Sequence, residues 1–130
     1  MIFNHRREIL LLKRGENSKN EAGYWNKVGG AVEYGEKSIE AMKREVKEEI
    51  GVTVKIEGMF PHSDHIIRKD NQHWLGLNYF GKIQKGEPKN MEPDKFDDMQ
   101  WFSLKKLPGK ISPPTRESIR HFLAGRYIKF

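Results

Sequence analysis

The chain predicts an α+β fold, a mixed sheet between two helices, on three observations. Two segments repeat apolar residues at helical spacing between start and stop signals. Several shorter runs are continuously apolar or alternate at strand spacing. With 36% apolar and 11% aromatic residues, 130 residues suffice for one domain with a real core, residues 1–130. In order, Met1 to Phe3 read as the end of a first strand, followed by a turn at Asn4 to Arg7 and a strand near Glu8 to Lys13. After a loop and a short strand comes the first helix, with Ser38 as N-cap, Ile39, Met42, Val46 and Ile50 on its apolar face, and Gly51 at the left-handed position beyond its end. Val52 to Met59 alternates, and Trp74, Leu75, Leu77, Tyr79 and Phe80 supply a further strand. Another strand runs through Met99, Trp101, Phe102 and Leu104. The last helix is capped by Ser112 beside Pro113 and Pro114, carries Ile119, Phe122 and Leu123, and stops near Gly125.

Composition narrows the setting. Without cysteine, disulfides and thiol chemistry are excluded, which fits a cytoplasmic protein. No long apolar run opens the chain, and Arg6 and Arg7 come early, so neither a signal peptide nor a membrane span is expected. The formal charge is +6, with basic residues at Lys13, Arg14, Lys19 and Lys27 and again at Arg116, Arg120, Arg126 and Lys129. Such a field favours a polyanionic ligand, nucleotide or nucleic acid.

The chemistry concentrates in the first helix. Glu45, Glu48 and Glu49 fall at i, i+3 and i+4, so they share one stripe, read as facing away from the apolar side. Like charges on one stripe repel, and the last two lie near the helix C-terminus, where the macrodipole disfavours anions. A cation resolves this, and hard oxygen ligands suit Mg²⁺ or Mn²⁺, which also bridge to substrate phosphates.

Over the 23 residues from Gly30 to Val52, the spacing of Gly30, Glu36 and the run Arg44-Glu45-Val46-Lys47-Glu48-Glu49-Ile50-Gly51-Val52 resembles the signature of the Nudix hydrolase family. The resemblance implies an α/β/α sandwich that uses Mg²⁺ or Mn²⁺ to hydrolyse nucleoside diphosphates linked to some further group. It implies Glu45, Glu48 and Glu49 as metal ligands, one of them serving as general base. Arg44 would orient the carboxylates, Glu36 would brace the loop, and Gly30 would bring its backbone to metal and phosphates. The flanks are similar too: Leu10 to Arg14 reads as a buried strand ending in cations, and Trp25-Asn26-Lys27-Val28-Gly29-Gly30 resembles the Trp-x-x-Pro-Gly-Gly approach, with Val28 in place of proline. Arg14, Gly29 and Gly30 are the expected substrate contacts. The first strand is short for this family, so either the chain is trimmed there or another element, such as a second subunit, covers that edge.

A polar, Pro-interrupted loop, Glu87 to Asp98, precedes the aromatic strand, and its Glu-Pro-Asp-Lys stretch followed by Trp101-Phe102 resembles the MutT-type branch. By that resemblance Glu92 is the further ligand or base, with Asp94 and Asp97 as substitutes. His62-Ser63-Asp64-His65 lacks a zinc spacing and reads as a loop at the rim of the site. Trp25, Trp74, Trp101 and Phe60 read as core. Marks of the ADP-ribose and dinucleoside-polyphosphate subgroups are missing. Phe60-Pro61-His62-Ser63 echoes the end of the NADH-diphosphatase signature without its preceding portion, and isopentenyl diphosphate isomerases need a cysteine this chain lacks. The expected reaction is Mg²⁺-dependent conversion of a nucleoside triphosphate to monophosphate and pyrophosphate. The alternatives are hydrolysis of ADP-ribose, a nucleotide sugar or a dinucleoside polyphosphate, or a silent domain that binds nucleotides or RNA 5′ ends. The expected assembly is a monomer or homodimer.

Overall fold

Ile9, Leu10, Leu11 and Leu12 are consecutive and fully buried, which a strand achieves only when both of its faces are covered. In the computed structural model, which describes residues 1–130, these residues form most of strand β2 (Ile9–Arg14). Leu10 and Leu12 point into a cluster with Val46 and Ile50 of helix α1 (Ser38–Ile50). Ile9 and Leu11 point into a second cluster with Ile119 of helix α2 (Pro113–Leu123). The layers therefore run helix, sheet, helix.

The sheet also contains β1 (Ile2–Phe3), β3 (Trp25–Asn26), β4 (Thr53–Met59), β7 (Tyr79–Lys85), β8 (Phe96–Phe102) and β9 (Ile128–Lys129). Strands β5 (Ser63–Ile67) and β6 (Gln72–Gly76) stand apart as a hairpin. The main order is β3-β2-β1-β7-β4-β9, with β8 along β2. The β1–β7 pair is parallel and the other pairs of strands are antiparallel, so the sheet is mixed. The short first strand does not form an edge: β1 lies between β2 and β7, and no second subunit is needed to cover it.

Four other expectations are corrected. Ser38 is the first residue of α1, not its cap; Lys37 is the N-cap, its amide donates to the Glu40 carboxylate at 3.1 Å, and the Ser38 hydroxyl bonds Tyr79 Oη at 2.7 Å. The apolar stretch from Trp74 to Phe80 is two strands, because Asn78 interrupts it. Its buried side-chain amide donates to Pro61 O, Ser63 Oγ and Gly76 O, which holds the hairpin outside the main ladder, whose terminal β4–β7 pair is Met59 with Tyr79. Leu123, the last residue of α2, is exposed, leaving Ile119 and Phe122 to pack from the helix. Trp25, Trp101 and Phe60 pack with the core, whereas Trp74 is on the hairpin and exposed. Gly51 does take the left-handed conformation, φ 74°, and its amide closes the helix on Lys47 O. Neither helix is long and apolar enough to cross a membrane.

Because neighbours on β2 serve opposite cores, Leu10→Ala and Leu11→Ala should each cost about 2–5 kcal/mol, the range for cavities in closed cores. Urea denaturation checks this, and a loss under about 1 kcal/mol at either position would mean that one face of the sheet is open.

Candidate active site

Helix α1 carries its carboxylates in three environments. Glu48 is open to solvent, with 53% of its side chain exposed, whereas Glu45 is mostly covered. Glu49 is buried at 1% exposure, so it does not lie on an outward stripe. The segment after β7 folds over the end of the helix, with Lys89 N donating to Ile50 O at 3.1 Å and Met91 N to Glu49 O at 3.0 Å, and closes that side. The pattern of the helix alone could not place this cover.

Arg44 joins the helix to the loop before it. Its Nε and Nη2 donate to the two Glu36 carboxylate oxygens at 3.0 and 2.7 Å, a two-point pairing that a planar guanidinium favours. Nη2 also reaches Ala31 O at 2.9 Å, while Nη1 reaches Glu45 Oε1 at 2.8 Å and Glu48 Oε2 at 3.3 Å. Glu36 additionally accepts the Glu33 amide at 2.9 Å. The Arg44 hydrogen bonds, then that amide, hold the Glu36 carboxyl down at about 2 and raise the guanidinium further. Gly30 explains how closely loop and helix approach: a Cβ there would fall on the Glu45 carboxylate.

Glu49 is the strained member. Its Oε1 has no hydrogen-bond partner, and the Lys95 ammonium lies 3.9 Å away. Burial pushes its carboxyl up to about 8; Lys95 opposes this, Glu45 and Glu92 add to it, and Arg14 opposes it weakly. Glu92 is thus the loop carboxylate whose charge bears on Glu49, while Asp97 lies against Gly15 and Asp94 is exposed. Lys95 carried no role in the sequence pattern; its place follows from the turn in which its amide bonds Glu92 O at 2.9 Å.

No three His, Asp or Glu side chains stand close enough together to enclose an ion. The donor set nevertheless fits a hard divalent cation: a buried carboxylate oxygen without a partner, two further carboxylates on the same helix, a loop carboxylate near them and a glycine backbone that approaches without hindrance.

Beside Gly30 opens a cleft of about 650 Å³. Its walls are the segment from Asn26 to Val32, the first turns of α1, the hairpin β5–β6, and the start of α2. Arg14 and Gly29 both line it, and a Cβ on Gly29 would meet open space. The Arg14 Nε is buried without a partner. Lys27 is not a free surface cation: its Nζ donates to Pro114 O at 3.1 Å, and burial lowers it to about 8. The residues His62 to His65 do not form a rim loop alone, since Ser63 begins β5, Asp64 pairs with His73 at 2.8 Å and His65 faces the cleft.

The chain is similar to known proteins along most of its length. The NUDIX domain model matches residues 1–122. The NAD-capped RNA hydrolase NudC of Pseudomonas entomophila is 29% identical over 92% of this chain, which spans 43% of that protein's length. The crystal structure of the MutT NUDIX hydrolase from Burkholderia pseudomallei superposes with a TM-score of 0.85 at 32% identity, covering 92% of this chain and 91% of that one. The MutT protein from Methanosarcina mazei Go1 superposes with a TM-score of 0.82 at 26% identity, covering 96% of this chain and 89% of that one. With the family model matched along nearly its whole length and its glycine, arginine and glutamates gathered on one loop and helix, the chain belongs to the NUDIX family.

Proposed function

We propose that the protein is a divalent-metal-dependent pyrophosphohydrolase that converts a nucleoside triphosphate to its monophosphate and pyrophosphate. One observation carries the reading: Glu49 is buried with an unpartnered oxygen and feels the charges of Glu45 and Glu92, on the helix whose Glu45 carboxylate meets the loop of Gly30. A carboxylate kept there against its desolvation cost is stabilised by a proton or by a cation. Glu45, Glu48, Glu49 and Glu92, with the backbone of Gly30, would hold Mg²⁺ or Mn²⁺. When bound, the ion supplies charge to neutralise the phosphates and to acidify water.

The chain's own residues do the rest. Arg44 fixes Glu45 and Glu48 relative to the loop. One glutamate, Glu45, Glu48 or Glu92, takes the proton of the attacking water as its oxygen bonds phosphorus and the anhydride P–O bond breaks. Arg14 and Lys27 bring positive charge to the cleft, and Gly29 leaves the phosphates room. The likeness to MutT proteins supports triphosphates as substrates.

The likeness to NudC favours a second reading, in which the substrate is a dinucleotide diphosphate such as NAD or an NAD-capped RNA end. The Phe60-Pro61-His62-Ser63 echo also supports it.

Glu48→Gln and Glu49→Gln should each lower kcat by two to four decades, about 3–5 kcal/mol of transition-state stabilisation, with the circular dichroism of the parent. Near-parent kcat at saturating Mg²⁺ in either variant removes that residue from the site.

The sign of the Glu49 effect on stability follows from its raised value. Unfolded, the carboxyl titrates near 4.5; folded and without metal, it titrates near 8. Between those values the folded state keeps a proton that the unfolded state has lost. The contribution is whole below pH 4.5 and disappears as pH rises through 8. In chelator, the parent should therefore lose stability relative to Glu49→Gln across this window, by at most about 1.4 kcal/mol per pH unit. Parallel pH curves for the two proteins would show that Glu49 ionises freely.

The reaction is tested on a panel of nucleoside triphosphates, NAD and ADP-ribose with Mg²⁺, run in ¹⁸O-labelled water. Monophosphate and pyrophosphate are the expected primary products, and the label reports whether the α or β phosphorus is attacked. Primary release of orthophosphate sinks the triphosphate reading. A kcat/KM for NAD or ADP-ribose well above that for every triphosphate moves the assignment to the dinucleotide.

A further inference from the structure

The hairpin β5–β6 lies outside the seven-stranded sheet, and it leaves large apolar side chains open, with Ile66, Trp74 and Leu75 all exposed. Its side chains alternate between two faces. Ser63, His65 and Ile67 of β5 and Trp74 and Gly76 of β6 wall the cleft beside Gly30, and Leu75, next to Trp74, borders it as well. Asp64 and His73 pair with each other on the opposite face.

Trp74 and His65 are direct cross-strand neighbours on the inner face. The indole Nε1 donates to Gln72 Oε1 at 3.3 Å, which restrains the ring without burying it. The His65 imidazole is held 3.9 Å from the Glu21 carboxylate, a residue that also lines the cleft. The chain's other two tryptophans behave differently: Trp25 packs edge-on to Phe102, and Trp101 packs against the α1 core. Trp74 keeps 56% of its surface open although it lines a concave site. A restrained, half-open indole on a cleft wall is suited to a flat ligand.

The same cleft extends to Gly29 and Gly30, where the carboxylate face begins. A ligand with phosphates at Gly30 therefore places its other end towards the hairpin. We propose that Trp74, flanked by His65, is the specificity-determining residue of the site, stacking on the nucleobase of a nucleoside phosphate whose phosphates lie at Gly30. This rests on the nucleotide reading above. Because every base offers a π face, stacking on Trp74 selects for a nucleoside end rather than for one particular base.

The test separates binding from turnover. A nucleoside triphosphate with an α,β-methylene bridge is titrated against the intrinsic fluorescence of the full chain with Mg²⁺, and inorganic tripolyphosphate is titrated alongside by calorimetry. The parent should show quenching by the nucleotide. Trp74→Phe should lose most of that quenching yet bind within about threefold, since a phenyl ring still stacks; Trp74→Leu should bind the nucleotide roughly tenfold or more weakly. Tripolyphosphate should bind parent and Trp74→Leu alike, and in turnover Trp74→Leu should raise KM with little change in kcat. Quenching that persists in Trp74→Phe, Trp74→Leu binding the nucleotide within twofold of the parent, or equal loss of tripolyphosphate affinity each overturns the proposal. A parent that binds and quenches but hydrolyses no nucleotide sinks the hydrolase reading alone and leaves the stacking subsite standing.

Discussion

The Arg44 guanidinium is the interaction on which the site's geometry depends. The segment from Ala31 to Gly35 is exposed, and Tyr34 on it is fully so, which means that burial does not hold it. Its ties to the helix are the fork onto Glu36, the bond to Ala31 O and the contacts with Glu45 and Glu48. Exposed ion pairs are individually weak, but a planar donor that satisfies several acceptors at once loses its side-chain entropy only once. With Glu36 held at about 2 and the guanidinium raised, the pair stays charged throughout the neutral range. The loop that presents Gly30 is thereby registered against the carboxylates independently of how the others titrate.

Glu49 follows the opposite logic. Glu48 is solvated and Glu45 is neutralised by Arg44, but Glu49 faces the interior with Lys95 too far away for a hydrogen bond. Burial raises the Glu49 carboxyl, so in the absence of a cation this carboxyl keeps its proton more readily than a solvated one. If Glu49 holds the proposed cation, protons and cations would compete at that oxygen, and metal affinity and metal-free stability would be coupled through the same residue.

Local chemistry was readable from the chain, and depth was not. The run Leu10 to Leu12 implied a buried strand, and Gly51 implied the end of α1, because both depend on neighbours in sequence. The burial of Glu49 depends on amides of Lys89 and Met91, which arrive from a distant loop, so a helical wheel assigned it to the wrong face. Ser38 has the chemistry of an N-cap, but its hydroxyl is taken by Tyr79 across the fold. The split between β6 and β7 is likewise tertiary: Asn78 breaks an apolar stretch because Pro61 and Ser63 supply partners for its amide. At the site, the spacing of Gly30, Glu36, Arg44 and the glutamates carried the network on α1, whereas the place of Lys95 beside Glu49 and the exposure of Trp74 depend on how the loops fold.

That division has a physical origin. The elements that would perform the chemistry, α1 and the loop before it, are bound together by charge and by the missing side chain of Gly30, and a change in any one of these parts displaces the others. The wall facing them across the cleft is a two-stranded hairpin outside the main sheet, attached through Asn78 and its bonds to Pro61 and Ser63. His65 and Trp74 on its inner face make their polar contacts with Glu21 and Gln72, not with Arg44 or the glutamates of α1. On the proposed reading, substrate preference would be set on β5 and β6, apart from the carboxylate face, and a strong family signature would then accompany a weak signal for the substrate.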